Sequence, residues 1–420
     1  MSMPHAVRHI NKIRTLDALF RTGQMSRSDL ARKLGVTRST ASSIVSDLVQ
    51  ERMVIEDEGE PVDRGVRTGR PGVYLRLRGA HSIFLGAEIG VGSLRVVAID
   101  LAAKVVHQRT KLFDLERAIP EAVVSELVAL IRAVIHRLPE PNALRGLNVT
   151  VPGLLDREGQ IFRAPMLRWA DVPLLPILRG LLPRISAIEA ENDANAFAMA
   201  ELYRARTSAP GEEIYMFLDA GVGGALMRHG QLLRGYDGFA GEVGHIFVGD
   251  EGFVAMGFLP GSLESFVGRE AILARCTFHG GMVHSIEEFI AALSAESPSA
   301  IATVRDWSQY LGRGLATLTS VFNPARIVLG GPIAALFRFG EPDVMASMRR
   351  RLLPSQPLPA VELSPLGAEG PAIGAAAIMH RRMLSFDEDL VFNGVRGQLG
   401  SDATARSLEG NRKRVATHHN

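Results

Sequence analysis

Residues 26–49 read SRSDLARKLGVTRSTASSIVSDLV, and the amino-terminal fold turns on them. Ser26 followed three residues later by Asp29 is a capping-box pattern that opens a helix. Leu30, Ala31 and Leu34 supply its apolar side. Gly35 permits a tight turn, and Thr37 can cap a further helix. That helix turns Ala41, Ile44, Val45, Leu48 and Val49 inward and Arg38, Ser39, Thr40, Ser42, Ser43 and Ser46 outward. Upstream, Ile10, Ile13, Leu16, Leu19 and Phe20 recur at helical spacing, with Gly23 where a helix stops. The pattern is that of a helix-turn-helix. Short hydroxyl side chains let a helix approach base edges and phosphates, and Arg38 can reach a guanine or a phosphate. A plain three-helix bundle with a solvated face has the same helices, so the next segment matters.

Residues 53–55 and 73–77 read as the two strands of a hairpin. Between them, DEGEPVDRGVRTGRPG carries Arg64, Arg67 and Arg70 on a Gly- and Pro-rich tip. A wing bearing arginines suits a narrow minor groove, whose potential attracts them. Glu56, Asp57, Glu58 and Glu60 are expected to repel phosphate, which leaves residues 64–70 as the DNA-facing half. Charge agrees with this layout. Residues 1–80 hold 14 Lys and Arg against 9 Asp and Glu, a net +5, so the rest of a chain of net charge +2 carries −3. A basic head on a slightly acidic body points to a polyanion at the head alone.

A chain of 420 residues calls for two or three domains, and 46% hydrophobic with 22% charged residues is globular composition. The lone Cys276 excludes an internal disulfide and a multi-cysteine zinc site, and the start, MSMPHAVRHINKIR, has no apolar signal core. No apolar run is long enough for a membrane span. The expectation is a cytoplasmic protein that makes no membrane contact. Domains are expected at 1–80, 81–385 and a tail at 386–420 that is polar, aperiodic and read as disordered. In the tail, Arg412, Lys413 and Arg414 read as a solvated charge run.

From residue 83 the pattern becomes strand-rich. Residues 83–89, 94–100 and 104–111 read as a meander, 119–138 as an amphipathic helix and 147–151 as a strand. Residues 185–190 lead into a helix starting near Asp193, and a strand-turn-strand theme returns at 214–218 and 224–228. Two related halves imply two α/β lobes with a ligand cleft between them.

Five stretches, in order, resemble the ROK family, which groups sugar kinases with sugar-responsive repressors. They are VPGLLDREGQI from Val151, ENDANAFAMAE from Glu191, GFAGEVGHI from Gly238, IVLGGPIA from Ile327 and IGAAAI from Ile373. The resemblance covers residues 83–383, and the head also resembles that of ROK repressors. It implies a winged helix-turn-helix joined to a two-lobed, actin-like (ribonuclease H-like) α/β domain. It implies sugar contact by Asn192, Asp193, Glu242, His245 and Glu264. Amide, carboxylate and imidazole groups supply the donors and acceptors that hydroxyls need; a helix cap for Asp193, alone or alongside sugar contact, and a structural role for His245 are the plainer alternatives. The loop holding Trp169 is placed near the sugar, which leaves ring stacking and core packing both open. In the family's kinases the residue matching Asp193 is the general base.

The departures from the family pattern are informative. Many members bind zinc through the histidine and three cysteines, and the matching positions here are Ala255, Gly257 and Ser262. None offers a thiolate, so zinc is expected to be absent, with Phe253, Val254, Phe258 and Leu259 packing the loop instead. The first phosphate loop reads Glu88-Ile89-Gly90-Val91-Gly92-Ser93-Leu94, without the family's lysine. The second reads Ala220-Gly221-Val222-Gly223-Gly224, without its threonine, and Gly330-Gly331 remains near the expected base site. Phosphoryl transfer depends on such positioning groups, so ATP is not expected as a cofactor. The resemblance then implies a homodimeric, or dimer-of-dimers, regulator, most simply a repressor of carbohydrate metabolism genes. Its partners would be a double-stranded DNA operator and a sugar or sugar-phosphate effector. An ATP-dependent sugar kinase carrying a DNA-binding head is the alternative. Regulation by protein contact is a third.

Overall fold

Helix α1 (Met3–Thr22) stops where Gly23 turns left-handed, with φ 79°. The computed structural model describes residues 3–58, 73–156, 158–206, 211–250 and 259–385. These fall into two units, one built on residues up to Arg78 together with those from Arg381 onward, the other on Gly79–His380. In the first unit, strand β1 (Met25–Ser26) precedes α2 (Arg27–Leu34). Ser26 caps α2 by accepting the Asp29 N–H at 3.1 Å, and its hydroxyl donates back to the Asp29 carboxylate at 2.7 Å. Gly35 closes the helix in the left-handed region at φ 69°, a conformation that costs a side chain but not glycine. Helix α3 (Arg38–Gln50) follows, capped by Thr37, and β2 (Val54–Glu58) and β3 (Val73–Leu77) pair antiparallel.

Two details differ from the sequence reading. The two-residue β1 adds to β3, making a three-stranded sheet in the order β1-β3-β2. Val49 is 36% exposed while Leu48 is fully buried. One residue of helix rotates the side chain by about 100°, so only one of the two can face the core at the end of α3.

The second unit contains the same sheet twice. Strands β4 (Ile83–Gly90), β5 (Ser93–Asp100) and β6 (Val105–Leu112) form the meander. After helix α4 (Pro120–Ile135), β7 (Leu144–Val151) lies parallel to β4. A small antiparallel sheet of β8 (Leu154–Leu155), β9 (Ile161–Ala164) and β10 (Trp169–Val172) interrupts, followed by α5 (Leu174–Leu181). Strand β11 (Ile188–Asn192) then joins parallel to β7, giving the order β11-β7-β4-β5-β6. Helix α6 (Asp193–Ala205) leads to β12 (Glu212–Leu218), β13 (Val222–Arg228) and β14 (Gln231–Leu232). Helices α7 (Leu263–Val267), α8 (Arg269–Phe278), α9 (Ile286–Ser294) and α10 (Pro298–Phe322) come next. Strand β15 (Arg326–Gly330), α11 (Phe337–Arg349), β16 (Ala360–Leu363) and α12 (Gly370–Leu384) complete the unit. The second sheet runs β14-β13-β12-β15-β16, the first sheet's connectivity repeated.

Each sheet has its own core. Helices α4 and α5 cover the first through Val124, Leu127, Ile131 and Leu178, and α7–α11 cover the second through Phe266, Phe289, Trp307 and Leu311. Helix α6 leaves the end of β11, a strand of the first sheet, yet packs Phe197 and Met199 on Tyr215, Phe217 and Met227 of the second. Helix α12 packs against the first sheet and against α6: a Cβ on Gly86 of β4 would stand 1.9 Å from the Ala372 carbonyl, and one on Gly374 1.7 Å from the Ala196 carbonyl. The two-lobed reading therefore holds, with α6 and α12 between the lobes. Among the described residues no helix is long and apolar enough to cross a membrane. Residues 386–420, read from sequence as a disordered tail, lie outside the described residues.

Candidate functional site

The amino-terminal unit presents α3 as an outward face. Arg38, Ser39, Thr40, Ser43 and Ser46 are exposed and Ser42 is half-buried. Thr37 accepts the Thr40 N–H at 3.2 Å, and its hydroxyl lies 2.9 Å from Ser39 Oγ and 2.8 Å from Thr40 Oγ1. This cap satisfies one N–H of the first turn of α3 and gathers three hydroxyls there. The one acid on α3, Asp47, is held by the Arg8 guanidinium through two 2.7 Å bonds and by Lys12 at 3.3 Å. The Arg8 bonds keep its carboxyl below the usual range. Lys12 also reaches Glu51, so α1 is stapled to α3 and the negative charge of α3 is matched. The sequence reading missed this staple. Its signal was legible: Arg8 and Lys12, like Asp47 and Glu51, are four apart and so share a helix face.

Glu56 and Asp57, expected to repel phosphate, are each paired with an arginine. Glu56 accepts from Arg27 at 2.6 Å, and Asp57 is paired with Arg76 across the hairpin. Their charges are matched locally. Arg64, Arg67 and Arg70 lie outside the described residues, as do Glu60 and the rest of the wing tip.

The second site lies where the two lobes meet, at the carboxyl ends of β4, β7, β11 and β12. Ligands of open α/β sheets commonly sit at such strand ends. Asn192 ends β11 and caps α6: its Oδ1 accepts the N–H groups of Ala194 and Asn195 at 2.9 and 3.1 Å, and its Nδ2 donates to the Gly153 carbonyl at 3.1 Å. The cap is thus Asn192, whereas the sequence pointed to Asp193. The amide keeps one N–H for other work. Asp193 occupies the first helical position and accepts the Ala194 N–H at 2.8 Å. Removal from bulk water, with Glu88 nearby, pushes its carboxyl up to about 8.

Around Asp193 the β12–β13 hairpin gathers the other groups. His245 Nε2 lies 3.2 Å from Glu264 Oε1, and its Nδ1 lies 3.6 Å from Glu242 Oε2. The Glu264 contact raises the imidazole above its ordinary pKa. A Cβ on Gly221 would stand 3.1 Å from Glu264 Oε2, and one on Gly223 would stand 2.8 Å from Ala194 Cβ and 3.5 Å from Asp193 Oδ1. Glycine there is a matter of close approach, because a side chain would push the hairpin off both carboxylates. Asp193, Glu242, His245 and Glu264 are therefore brought together.

Two further acids belong to this region and were not singled out as site residues. Glu88 on β4 is 3% exposed and paired with Arg95 at 3.0 Å, and its Oε2 has no hydrogen bond among the described residues. Burial pushes it up to about 7. Asp219, at the start of the β12–β13 turn, is paired with Arg269. Neither loop places a lysine where a phosphate would need one. Glu191 was also missed. It accepts from Arg234 at 2.6 and 3.1 Å and from the Asn195 amide at 3.0 Å, tying the loop after β14 to the base of α6. Nothing in spacing marks Glu191 and Arg234, which are 43 residues apart. Trp169 is 3% exposed in the first lobe's core, and its indole N–H donates to the Ala118 carbonyl at 2.6 Å. Core packing, the second of its two readings, is where the structure places it.

Beside the cluster runs a cleft of about 820 Å³, lined by all five residues of β11 and by Glu242 and the 234–240 loop. It meets the cluster at Asn192 and Glu242; Asp193, His245 and Glu264 stand outside its lining. Of the family's zinc positions, Ala255 and Gly257, with Phe253, Val254 and Phe258, lie outside the described residues. Ser262 is fully buried, and its backbone bridges to Phe247 at the base of that loop. An aliphatic hydroxyl does not replace a thiolate, so the residues at these positions do not fit zinc.

Both parts of the chain resemble known proteins. A model described as the ROK family matches residues 84–382, and one described as winged helix-turn-helix DNA-binding matches residues 8–55. The chain is 27% identical over 379 residues to the xylose repressor of Bacillus subtilis (strain 168), covering 89% of this chain and 95% of that one. It is 24% identical over 407 residues to the DNA-binding transcriptional repressor Mlc of Escherichia coli (strain K12), covering 92% and 96%. The crystal structure of a ROK-family transcriptional regulator, a homologue of the E. coli Mlc protein, superposes with a TM-score of 0.72 at 22% identity. It covers 90% of this chain and 97% of that one.

Proposed function

The chain belongs to the ROK family, and from that premise we propose that it is a sugar-responsive, DNA-binding transcriptional regulator that represses carbohydrate metabolism genes. The observation that carries this reading is the capped, outward face of α3, with Arg38 and short hydroxyls exposed, on a chain that also holds the Asp193–Glu242–His245–Glu264 cluster. Two relatives named as repressors, similar over nearly their whole lengths, support it. In this reading the chain works in the cytoplasm as a homodimer or a dimer of dimers. Each protomer lays α3 in a major groove of a near-palindromic operator, with Arg64, Arg67 and Arg70 alongside. The effector bridges carboxylates and imidazole at the lobe junction. It shifts DNA affinity only as far as it binds one state of the chain better than the other.

Fluorescence anisotropy on duplexes selected from a random library tests the reading. Affinity should fall steeply with salt, because lysine and arginine contacts release counterions, and an effector sugar should change it. Salt-independent affinity would sink the proposal.

One observation favours a second reading, ATP-dependent phosphorylation of the sugar. By the family resemblance, Asp193 matches the general base of the family's kinases. Against it, both phosphate hairpins present carboxylates, Glu88 and Asp219, and no lysine. Neither zinc nor ATP has a place in the regulator reading. An ADP-release assay over a sugar panel decides the matter; turnover abolished by Asp193→Asn would favour the kinase.

A further inference from the structure

The cleft beside the cluster is large for one sugar ring, and its chemistry is one-sided. At about 820 Å³ it lies toward the upper end of ligand pockets, which run from roughly 300 to 1,000 Å³. It follows β11 from Ile188 to Asn192, a run of about 13 Å at strand rise. That is well over the span of one six-membered ring. Among the described lining residues, Asp156, Glu158, Glu189, Glu191 and Glu242 face only two cations, Arg179 and Arg234. Arg234 is already committed to Glu191. Like charges brought together in such a site are strongly unfavourable, so a phosphate or carboxylate ligand is disfavoured along the whole length.

The floor of the cleft adds an independent observation. Asn148 of β7 is 1% exposed and lines the cleft, and its side-chain Oδ1 has no hydrogen bond among the described residues. A buried amide oxygen without a donor is costly. A sugar hydroxyl is a donor of the kind this oxygen lacks. At the rim, Phe239 of the 234–240 loop stacks on Phe162 of β9 with centroids 6.3 Å apart, so an apolar surface borders the polar floor.

We propose that the effector is an uncharged glycoside of at least two rings, one held by the Asp193–Glu242–His245–Glu264 cluster and the remainder lying along β11 over Asn148. This rests on the sugar-sensor reading above and narrows it. Of the two effector classes that the sequence left open, it selects the unphosphorylated one.

Isothermal titration calorimetry on the full-length protein tests it, with D-glucose, cellobiose, maltose, D-xylose, xylobiose and D-glucose 6-phosphate as probes. One disaccharide should bind about tenfold or more tighter than its own monosaccharide, and glucose 6-phosphate about tenfold or more weaker than glucose. Ala240→Trp, which fills the outer cleft from a surface loop, should remove the disaccharide's advantage and leave the monosaccharide within about twofold. Asn148→Leu, with the same branching and number of side-chain heavy atoms and lacking the orphan oxygen, should do the same if Ala240→Trp disturbs folding. If a monosaccharide matches its disaccharide, or the phosphorylated sugar binds more tightly, the glycoside proposal falls and the sensor reading stands. If no sugar binds the unaltered chain, the sensor reading falls as well.

Discussion

Replacing Asp193 with Asn should make the second unit more stable at neutral pH and flatten its dependence on pH. The Asp193 carboxyl is raised from 3.8 to about 8 in the folded chain, first by burial and then by Glu88. An acid with a raised folded pKa keeps its proton more tightly when folded. The stability it contributes is fully present below 3.8 and is lost progressively as pH rises toward about 8. At 1.36 kcal/mol per unit, moving from pH 5 to pH 7 removes up to about 3 kcal/mol through this one group. Glu88, raised to about 7, acts in the same direction. Asparagine keeps an oxygen for the Ala194 N–H, which accepts nothing and donates to Asp193 Oδ1 at 2.8 Å, so the first turn of α6 stays intact. Urea unfolding followed by tryptophan fluorescence reads this directly. The chain has two tryptophans, and both are buried in this unit, Trp169 at 3% and Trp307 at 0% exposure. The unaltered chain should lose stability between pH 5 and pH 7, and Asp193→Asn should lose markedly less. Coincident slopes, or a variant weaker than the unaltered chain at pH 7, would refute the reasoning.

Three other outcomes follow from the same geometry. Arg38→Ala should weaken operator binding and lower the slope of log affinity against log salt by about 1 if the arginine meets a phosphate; an unchanged slope together with altered base preference would place it on a base edge. Glu264→Gln should lower the His245 pKa, since the Glu264 contact is the largest cause of its rise, and a proton NMR titration of the histidine ring that shows no downward shift would contradict the assignment. Trp169→Ala should destabilise the second unit by about 3–5 kcal/mol, the range for emptying a buried aromatic site; a thermal melt by circular dichroism that barely moves would show the site can collapse.

What the sequence revealed and what it hid divide along physical lines. Helix caps and apolar periodicity are local, so Ser26, Gly35 and Thr37 marked the turns of the first unit from composition alone. The repeated strand-turn-strand theme announced two lobes because each hairpin is contiguous. Strand β1 escaped because two residues carry no periodicity; it exists only because β3 offers an open edge. Asn192 and Asp193 are equally good caps by residue type, and only the Gly153 carbonyl, 39 positions upstream, settles which turns inward. Glu88, Asp219 and the Glu191–Arg234 pair needed the folded chain, since their meaning lies in what stands across the cleft. Within the cluster, His245 and Glu242 could be paired from a spacing of three, but the approach of Glu264 depends on how α7 packs.

Helix α6 grows out of one lobe's sheet and is bolted by Phe197 and Met199 to the other's. A swing of one half against the other would therefore strain the chain at Asn192 and Asp193, where β11 passes into α6. A molecule wedged against that junction would resist such a swing.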